Sequence, residues 1–149
     1  MLIRHVKDNE MEELLNLYTH LHRQDAPLPE KSILLLIWKE ITRNSLLHYF
    51  VVENNNKIVS SCSLSIIPNL TRGARPYGVI ENVVTHSDYR KRGFGTSILR
   101  HALDFAWKNN CYKVMLSTGS KDPTIYQFYE NAGFKKGIKT DFIAYPSDF

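Results

Sequence analysis

Cysteine is scarce in this chain: Cys62 and Cys111 are the only two in 149 residues. Two thiols in strand-like apolar surroundings make neither a disulfide framework nor a zinc site, so buried free thiols are expected. Long apolar runs are missing as well. The longest, Ile33 to Trp38, is far too short to span a bilayer. The opening Met1-Leu2-Ile3-Arg4-His5 lacks a basic-then-apolar signal pattern. A soluble cytoplasmic protein with no membrane role is the default expectation. The six histidines show no ligand spacing beyond His20 and His22, which implies no metal. No repeat, low-complexity tract or linker interrupts the chain, so residues 1–149 read as one domain. The net charge of +4 is scattered and accompanies no nucleic-acid motif, so nucleic acid is not an expected partner.

What is present is a globular composition, 43% apolar and 23% charged, and a series of periodic segments. Leu2 to Val6 reads as a first strand. Asp8 or Asn9 is positioned to cap a helix carrying Met11, Leu14, Leu15, Tyr18 and Leu21. Pro27 and Pro29 forbid its continuation. A second helix spans Glu30 to Thr42, with Ile33, Leu34, Ile37 and Ile41 on one face and Leu35, Leu36 and Trp38 beside it. Such a helix packs on two surfaces, and core packing is favoured over a substrate cleft or a subunit contact. Leu47 to Glu53 and Ile58 to Ile67 read as strands joined by a turn at Asn54–Lys57, because asparagine tolerates left-handed angles. Ile58, Ser60, Cys62, Leu64 and Ile66 should share a face. A loop from Pro68 to Tyr77 holds Arg72 and Arg75, and a central strand follows from Val79 to Thr85. Phe94 to Asn109 is a helix with a continuous stripe of Phe94, Ile98, Leu99, Ala102, Leu103 and Ala106. After a strand from Tyr112 to Leu116, Asp122-Pro123 starts a short helix that Gly133 stops. Phe134 to Tyr145 should supply the last strand or strands. The order βααβββαβαβ predicts an α/β fold, a mixed sheet with helices on both faces. One ligand crevice should lie at the carboxyl end of the central strand.

The chain is organised around Val79 to Gly95, a buried strand, a short turn and a basic loop leading into the long helix. Arg90, Gly93 and Gly95 stand at Arg-x-x-Gly-x-Gly spacing. A helix start leaves backbone N–H groups unpartnered and carries partial positive charge. Glycines let the backbone approach an oxygen-rich group, and Arg90, Lys91 and Arg92 add full charge. Phosphate or pyrophosphate is the natural ligand. The Gly-x-x-x-x-Gly-Lys-Ser/Thr loop and the three-glycine dinucleotide fingerprint are both missing.

That element order, the Arg90-x-x-Gly93-x-Gly95 loop and the segment Phe128-Tyr129-Glu130-Asn131-Ala132-Gly133-Phe134 together resemble the GCN5-related N-acetyltransferases. The resemblance covers nearly the whole chain, most specifically Ile80 to Phe134. It implies that family's acyl-CoA N-acyltransferase fold, with acetyl-CoA as acetyl donor and a pantetheine arm lying along a bulged central strand. By position, the backbone of Val83, Val84 and Thr85 would pair with that arm. Amides across Arg90, Lys91, Arg92, Gly93, Phe94, Gly95 and Thr96 would hold the pyrophosphate. The family often has proline where Ser87 stands, which changes a turn and leaves the amides available. Tyr129 matches the acid that protonates the departing thiolate, with Tyr126 as its understudy, and an amide near Val83 would serve the oxyanion. Glu81 is the candidate base: a carboxylate in an apolar strand, alternating with Val83 and Thr85 and so facing the cleft with them. The other reading of Glu81 pairs it with Arg72, Arg75 or a backbone group. His86 ends the same strand and could also act. His20, His22 and Asp25 fall where the family's first helices meet the acceptor.

The run Gly78 to Val84, with Cys111-Tyr112-Lys113 and Phe128-Tyr129-Glu130, is similar to glucosamine 6-phosphate N-acetyltransferases. Those small dimers carry Ile-Glu-Asp where this chain has Ile80-Glu81-Asn82. The similarity implies a small polar amine such as an amino sugar, with Arg72 or Arg75 available for an anionic group. Peptide amines, polyamines and amino-bearing antibiotics stay open. So does a homodimer through the last strands or the Ile33–Trp38 helix. A non-catalytic CoA-binding module is a further alternative, against which the presence of both Tyr129 and Glu81 argues.

Overall fold

A computed structural model describes residues 1–148, so the final residue of the domain read over 1–149 lies outside the described residues. Its strands are β1 (Leu2–His5), β2 (Leu47–Asn54), β3 (Lys57–Ile67), β4 (Tyr77–Thr85) and β5 (Val114–Met115). They form one sheet in that order, antiparallel except for the parallel β4–β5 pair. The helices are α1 (Met11–Tyr18), α2 (Lys31–Arg43), a short α3 (Thr71–Ala74), α4 (Phe94–Lys108) and α5 (Pro123–Ala132). Among the described residues no helix is long and apolar enough to cross a membrane.

The two faces of the sheet carry two cores. α4 presents the expected stripe, and Phe94, Ile98, Leu99, Ala102 and Ala106 pack on Phe50, Cys62, Leu64, Ile66 and Ile80. On the opposite face Met11, Leu14 and Leu17 of α1 and Trp38 of α2 pack on Val51, Ile58 and Val84. Helices on both sides make β3 nearly wholly buried, which is why it reads as a continuous run. Cys62 and Cys111 are free thiols, as expected, and burial pushes the Cys62 thiol up to about 12.

Several local expectations hold to the residue. Asn55 and Asn56 take φ of 51° and 60°, the two left-handed positions of a tight hairpin between Asn54 and Lys57. Asp122 caps α5 by accepting from the Thr124 amide at 2.9 Å, and Gly133 ends it at φ 115°.

Others do not hold. Neither Asp8 nor Asn9 caps α1, because a 3-10 turn at Asp8–Glu10 leads into it. There the Glu10 carboxylate accepts from the Lys7 amide at 2.7 Å and pairs with Arg4. Ile58 does not share a face with Cys62, Leu64 and Ile66. The register steps from Val52↔Ser60 to Glu53↔Ile58, and this bulge puts Val59 on the α4 side and Ile58 on the α1 side. α2 buries Trp38, with Leu34 and Ile41 partly buried, rather than the Ile33–Ile37 face. The Trp38 indole donates to the Asp8 carbonyl at 2.7 Å and sets the helix rotation, leaving Ile33, Leu35, Leu36 and Ile37 exposed. No strand forms among the described residues after Phe134: Gly137 turns the chain at φ 81°, and β5, two residues long, offers little edge to extend.

Candidate active site

β4 is the spine of the site. Its register with β3 runs Ser63↔Glu81 and then Ser61↔Val84, so Asn82 and Val83 stand opposite Cys62 alone. Asn82 is the bulged residue, at φ 52°. Asparagine visits this region more readily than most side chains, which suits it to a strand that must bend. On the other edge, β4 pairs with β5 only at Gly78↔Val114 and Val79↔Met115. Beyond Val79 the two strands part, and among the described residues the edge of β4 from Ile80 to Thr85 has no strand partner. An extended group can add to such an edge by main-chain hydrogen bonds. Buried serines hold the bent strand: Ser63 Oγ donates to the Glu81 carbonyl at 3.1 Å, and Ser60 Oγ to the Val84 carbonyl at 2.9 Å.

The loop after β4 has the geometry of an anion cradle. A 3-10 turn (Ser87–Tyr89) leads through Lys91 at φ 59° to Gly93 at φ 84°, which precedes the first turn of α4. The first helical bond runs from the Ser97 amide to the Gly93 carbonyl, so the amides of Phe94, Gly95 and Thr96 are the unpaired ones of a helix start. Gly95 is needed for close approach. A Cβ there would lie 3.0 Å from the Phe128 ring and 3.3 Å from Thr85 Oγ1, which locks α4 against α5 and β4. The Arg92 guanidinium lies over Tyr89 and Phe94, 5.1 and 5.4 Å from their centroids, and Lys91 is exposed. Arg90 differs, for its guanidinium donates to the Thr85 and His20 carbonyls.

The bulge also decides where Glu81 points. Ile80 and Val83 pack on the α4 side, whereas Val84 belongs to the core under α1. Glu81 therefore does not alternate with Val83 and Thr85, as regular pleating predicts; it shares the α1 face with Val84. It is exposed, and among the described residues it makes no salt bridge with Arg72 or Arg75. Arg75 instead donates to the Asn110 and Cys111 carbonyls. Arg72 is exposed, in a left-handed turn with Gly73 and Ala74.

Tyr129 comes from the opposite side, on α5, half-buried between Phe128 and Phe134. Burial raises its phenol above the usual value, and the Glu81 charge raises it further, so the two groups sense each other. Tyr126 is occupied: its hydroxyl donates to the Ser120 carbonyl at 2.8 Å and Lys136 lies over its ring. His86 caps the 3-10 turn by accepting from the Asp88 amide, and its ring lies tilted against that of His20. Both therefore sit beside the anion loop. Asp25 accepts from the Ala26 amide in an exposed stretch, and His22 is exposed. Reading the residues singly missed the role of Asn82 and of the strand serines. The signal was there in four serines, Ser60, Ser61, Ser63 and Ser65, in a strand whose other residues after Lys57 are apolar.

A bulged central strand with an open edge, a helix start with unpaired amides, and a carboxylate and a phenol on opposite faces of that strand form an arrangement suited to acyl transfer. The family model described as the acetyltransferase (GNAT) family matches residues 9–134. The chain belongs to that family and is an enzyme of the N-acetyltransferase class, whose members use acetyl-CoA. It is 31% identical to a glucosamine 6-phosphate N-acetyltransferase from Trypanosoma brucei brucei, covering 89% of this chain and 88% of that one. A solved Agrobacterium tumefaciens structure, provisionally named an acetyltransferase, is 40% identical with a TM-score of 0.91, covering 98% and 100% of the two chains. A glucosamine-6-phosphate N-acetyltransferase from Arabidopsis thaliana shares the fold at 20% identity, with a TM-score of 0.76 and coverage of 95% and 97%.

Proposed function

We propose that this enzyme transfers an acetyl group from acetyl-CoA to the primary amine of a small, anionic amino sugar, with glucosamine 6-phosphate as the leading acceptor. The observation that carries the transfer is the bulge at Asn82, in the stretch of β4 beyond its pairing with β5, with Glu81 on one face and Tyr129 on the other. The fit to the donor is chemical. An oxygen-rich diphosphate suits the amides of Phe94, Gly95 and Thr96 with Lys91 and Arg92 nearby, and an amide-bearing arm suits the open edge of Val83, Val84 and Thr85.

The thioester supplies the acyl group. The amine must attack as the free base, and Glu81, directly or through a water, takes the proton the nitrogen loses as its bond to carbon forms. As the carbon–sulfur bond breaks, the Tyr129 hydroxyl donates its proton to the sulfur. A backbone amide at Val83 would stabilise the oxyanion between these steps. The amine attacks the thioester carbon directly, so no covalent enzyme intermediate is required.

The Trypanosoma similarity supports the acceptor, and exposed Arg72 near the start of β4 is suited to a phosphate. CoA release over a panel of glucosamine 6-phosphate, glucosamine, lysine peptides, polyamines and aminoglycosides tests it. The highest kcat/KM should fall on glucosamine 6-phosphate. A higher value for another amine would replace the acceptor, and silence across the panel with CoA still bound would overturn the transfer.

A further inference from the structure

Arg90 stands first in the anion loop, where charge alone would assign its side chain to phosphate. The guanidinium is engaged elsewhere. Nε donates to the Thr85 carbonyl at 3.1 Å and Nη2 to the His20 carbonyl at 2.8 Å. Thr85 ends β4, and His20 lies in the turn that closes α1. One side chain thus spans the end of the central strand and the end of the helix on Glu81's face. Two weaker ties reinforce it. The His20 and His86 rings lie against each other, tilted by 36° with centroids 3.9 Å apart, and the Ser87 amide donates to His20 Nδ1 at 3.4 Å.

The chemistry suits arginine and not lysine. Carbonyls after a helix end lack internal partners. A planar guanidinium with donors in fixed directions reaches two carbonyls at once, whereas an ammonium is a single point. The next stretch of chain needs such an anchor. Residues 22–30 are all exposed and hold no regular element before α2 begins at Lys31.

We propose that Arg90 is a positioning residue: through Thr85 and His20 it holds the 21–30 segment over the acceptor face of β4, and the loop amides bind phosphate without its charge. The term "acceptor face" rests on the acetyl-transfer reading above; the tie itself does not. Its consequence is that acceptor affinity depends on Arg90 more than donor affinity does.

Two variants separate a tie from a phosphate ligand. Arg90→Lys keeps the charge and loses the fork, while Arg90→Met loses both. Amide hydrogen exchange at Thr19, His20 and Leu21, whose amides bond to the Asn16, Leu17 and Tyr18 carbonyls, should quicken ~10-fold or more in both, since local opening loses the same anchor. CoA affinity by calorimetry should stay within ~3-fold, while the KM for glucosamine 6-phosphate rises ~10-fold with a smaller change in kcat. Unchanged exchange in both variants overturns the proposal. So does CoA binding that is lost in Arg90→Met and kept in Arg90→Lys, the pattern of a phosphate contact. A CoA loss shared equally by both overturns it as well, because the donor site would then depend on the Arg90 side chain. Exchange and calorimetry need no acceptor. A wild-type protein that binds CoA but acetylates nothing would sink the functional reading and leave this test standing.

Discussion

A phenol half-buried on α5 beside a carboxylate keeps its proton well past neutral pH. Burial disfavours the phenolate and the Glu81 charge repels it, so Tyr129 stays protonated until the pH exceeds the ordinary tyrosine value of 10.0. Tyr129→Phe should lower kcat by ~10-fold or more with acetyl-CoA still bound, the range usual for a general acid. In the native enzyme the alkaline limb of kcat should lie above that ordinary value. A limb below it, removed by Tyr129→Phe, would show that something else lowers the phenol. Glu81→Gln should lower kcat by ~10-fold or more with acetyl-CoA still bound; an unchanged kcat makes Glu81 structural. Tyr126 is not an equivalent substitute, because its hydroxyl already serves the Ser120 carbonyl.

At the scale of the element, the bend in β4 makes the site. Asn82 holds φ 52°, a conformation that costs most residues ~1–2 kcal/mol and glycine nearly nothing. Asn82→Gly should bind CoA as the native protein does. Asn82→Val should be less stable by a similar amount and should bind CoA more weakly, as the strand straightens toward β5. Equal affinities, measured by calorimetry, would separate the bulge from the donor site. The helix start makes a second demand. Gly93 has open space around it but φ 84°, so alanine there is strained by backbone alone, whereas Gly95 is short of space. Gly95→Glu should abolish CoA binding, by collision with Phe128 and by negative charge beside the unpaired amides. Retained binding would remove the loop from the site.

The whole molecule carries a pH dependence unrelated to catalysis. His5 of β1, His48 of β2 and His101 of α4 gather around Phe50 and Phe105, with His5 Nε2 and His48 Nδ1 3.1 Å apart. All three are held below the ordinary histidine value of 6.5, burial being the main cause in each. His101 lowers His5, and His5 lowers His48; Lys108 lowers His101 while Asp104 opposes it. The folded state therefore binds fewer protons than the unfolded one just below pH 6.5, so stability rises with pH across that window and falls on acidification. The melting temperature should drop between pH 7 and pH 5, and His48→Phe should flatten the slope; an unchanged slope would exclude the cluster as its source. Glu10 acts in a lower window. Arg4 holds its carboxyl below the ordinary value, so that contribution is lost only as pH falls through the acidic range.

The sequence was sufficient wherever structure is dictated locally. The α4 stripe, the Asn55–Asn56 turn, the Asp122 and Gly133 boundaries of α5 and the glycine-containing loop all follow from one residue's backbone preference or one helix's period. Their physics spans a few neighbouring residues, so a linear reading reaches it. Tertiary structure decided what depends on register between distant segments. The slip at Asn82 turned Glu81 to the α1 face, and the bulge at Val59 sent Ile58 across the sheet. Trp38 chose the side of α2 that is buried by finding a carbonyl 30 residues away. Arg90 could be read as a charge in a loop; that it joins the ends of β4 and α1 depends on a residue 70 positions distant. Periodicity tells a side chain which neighbours it shares a face with, but only the partner strand and the packed helix settle which face that is.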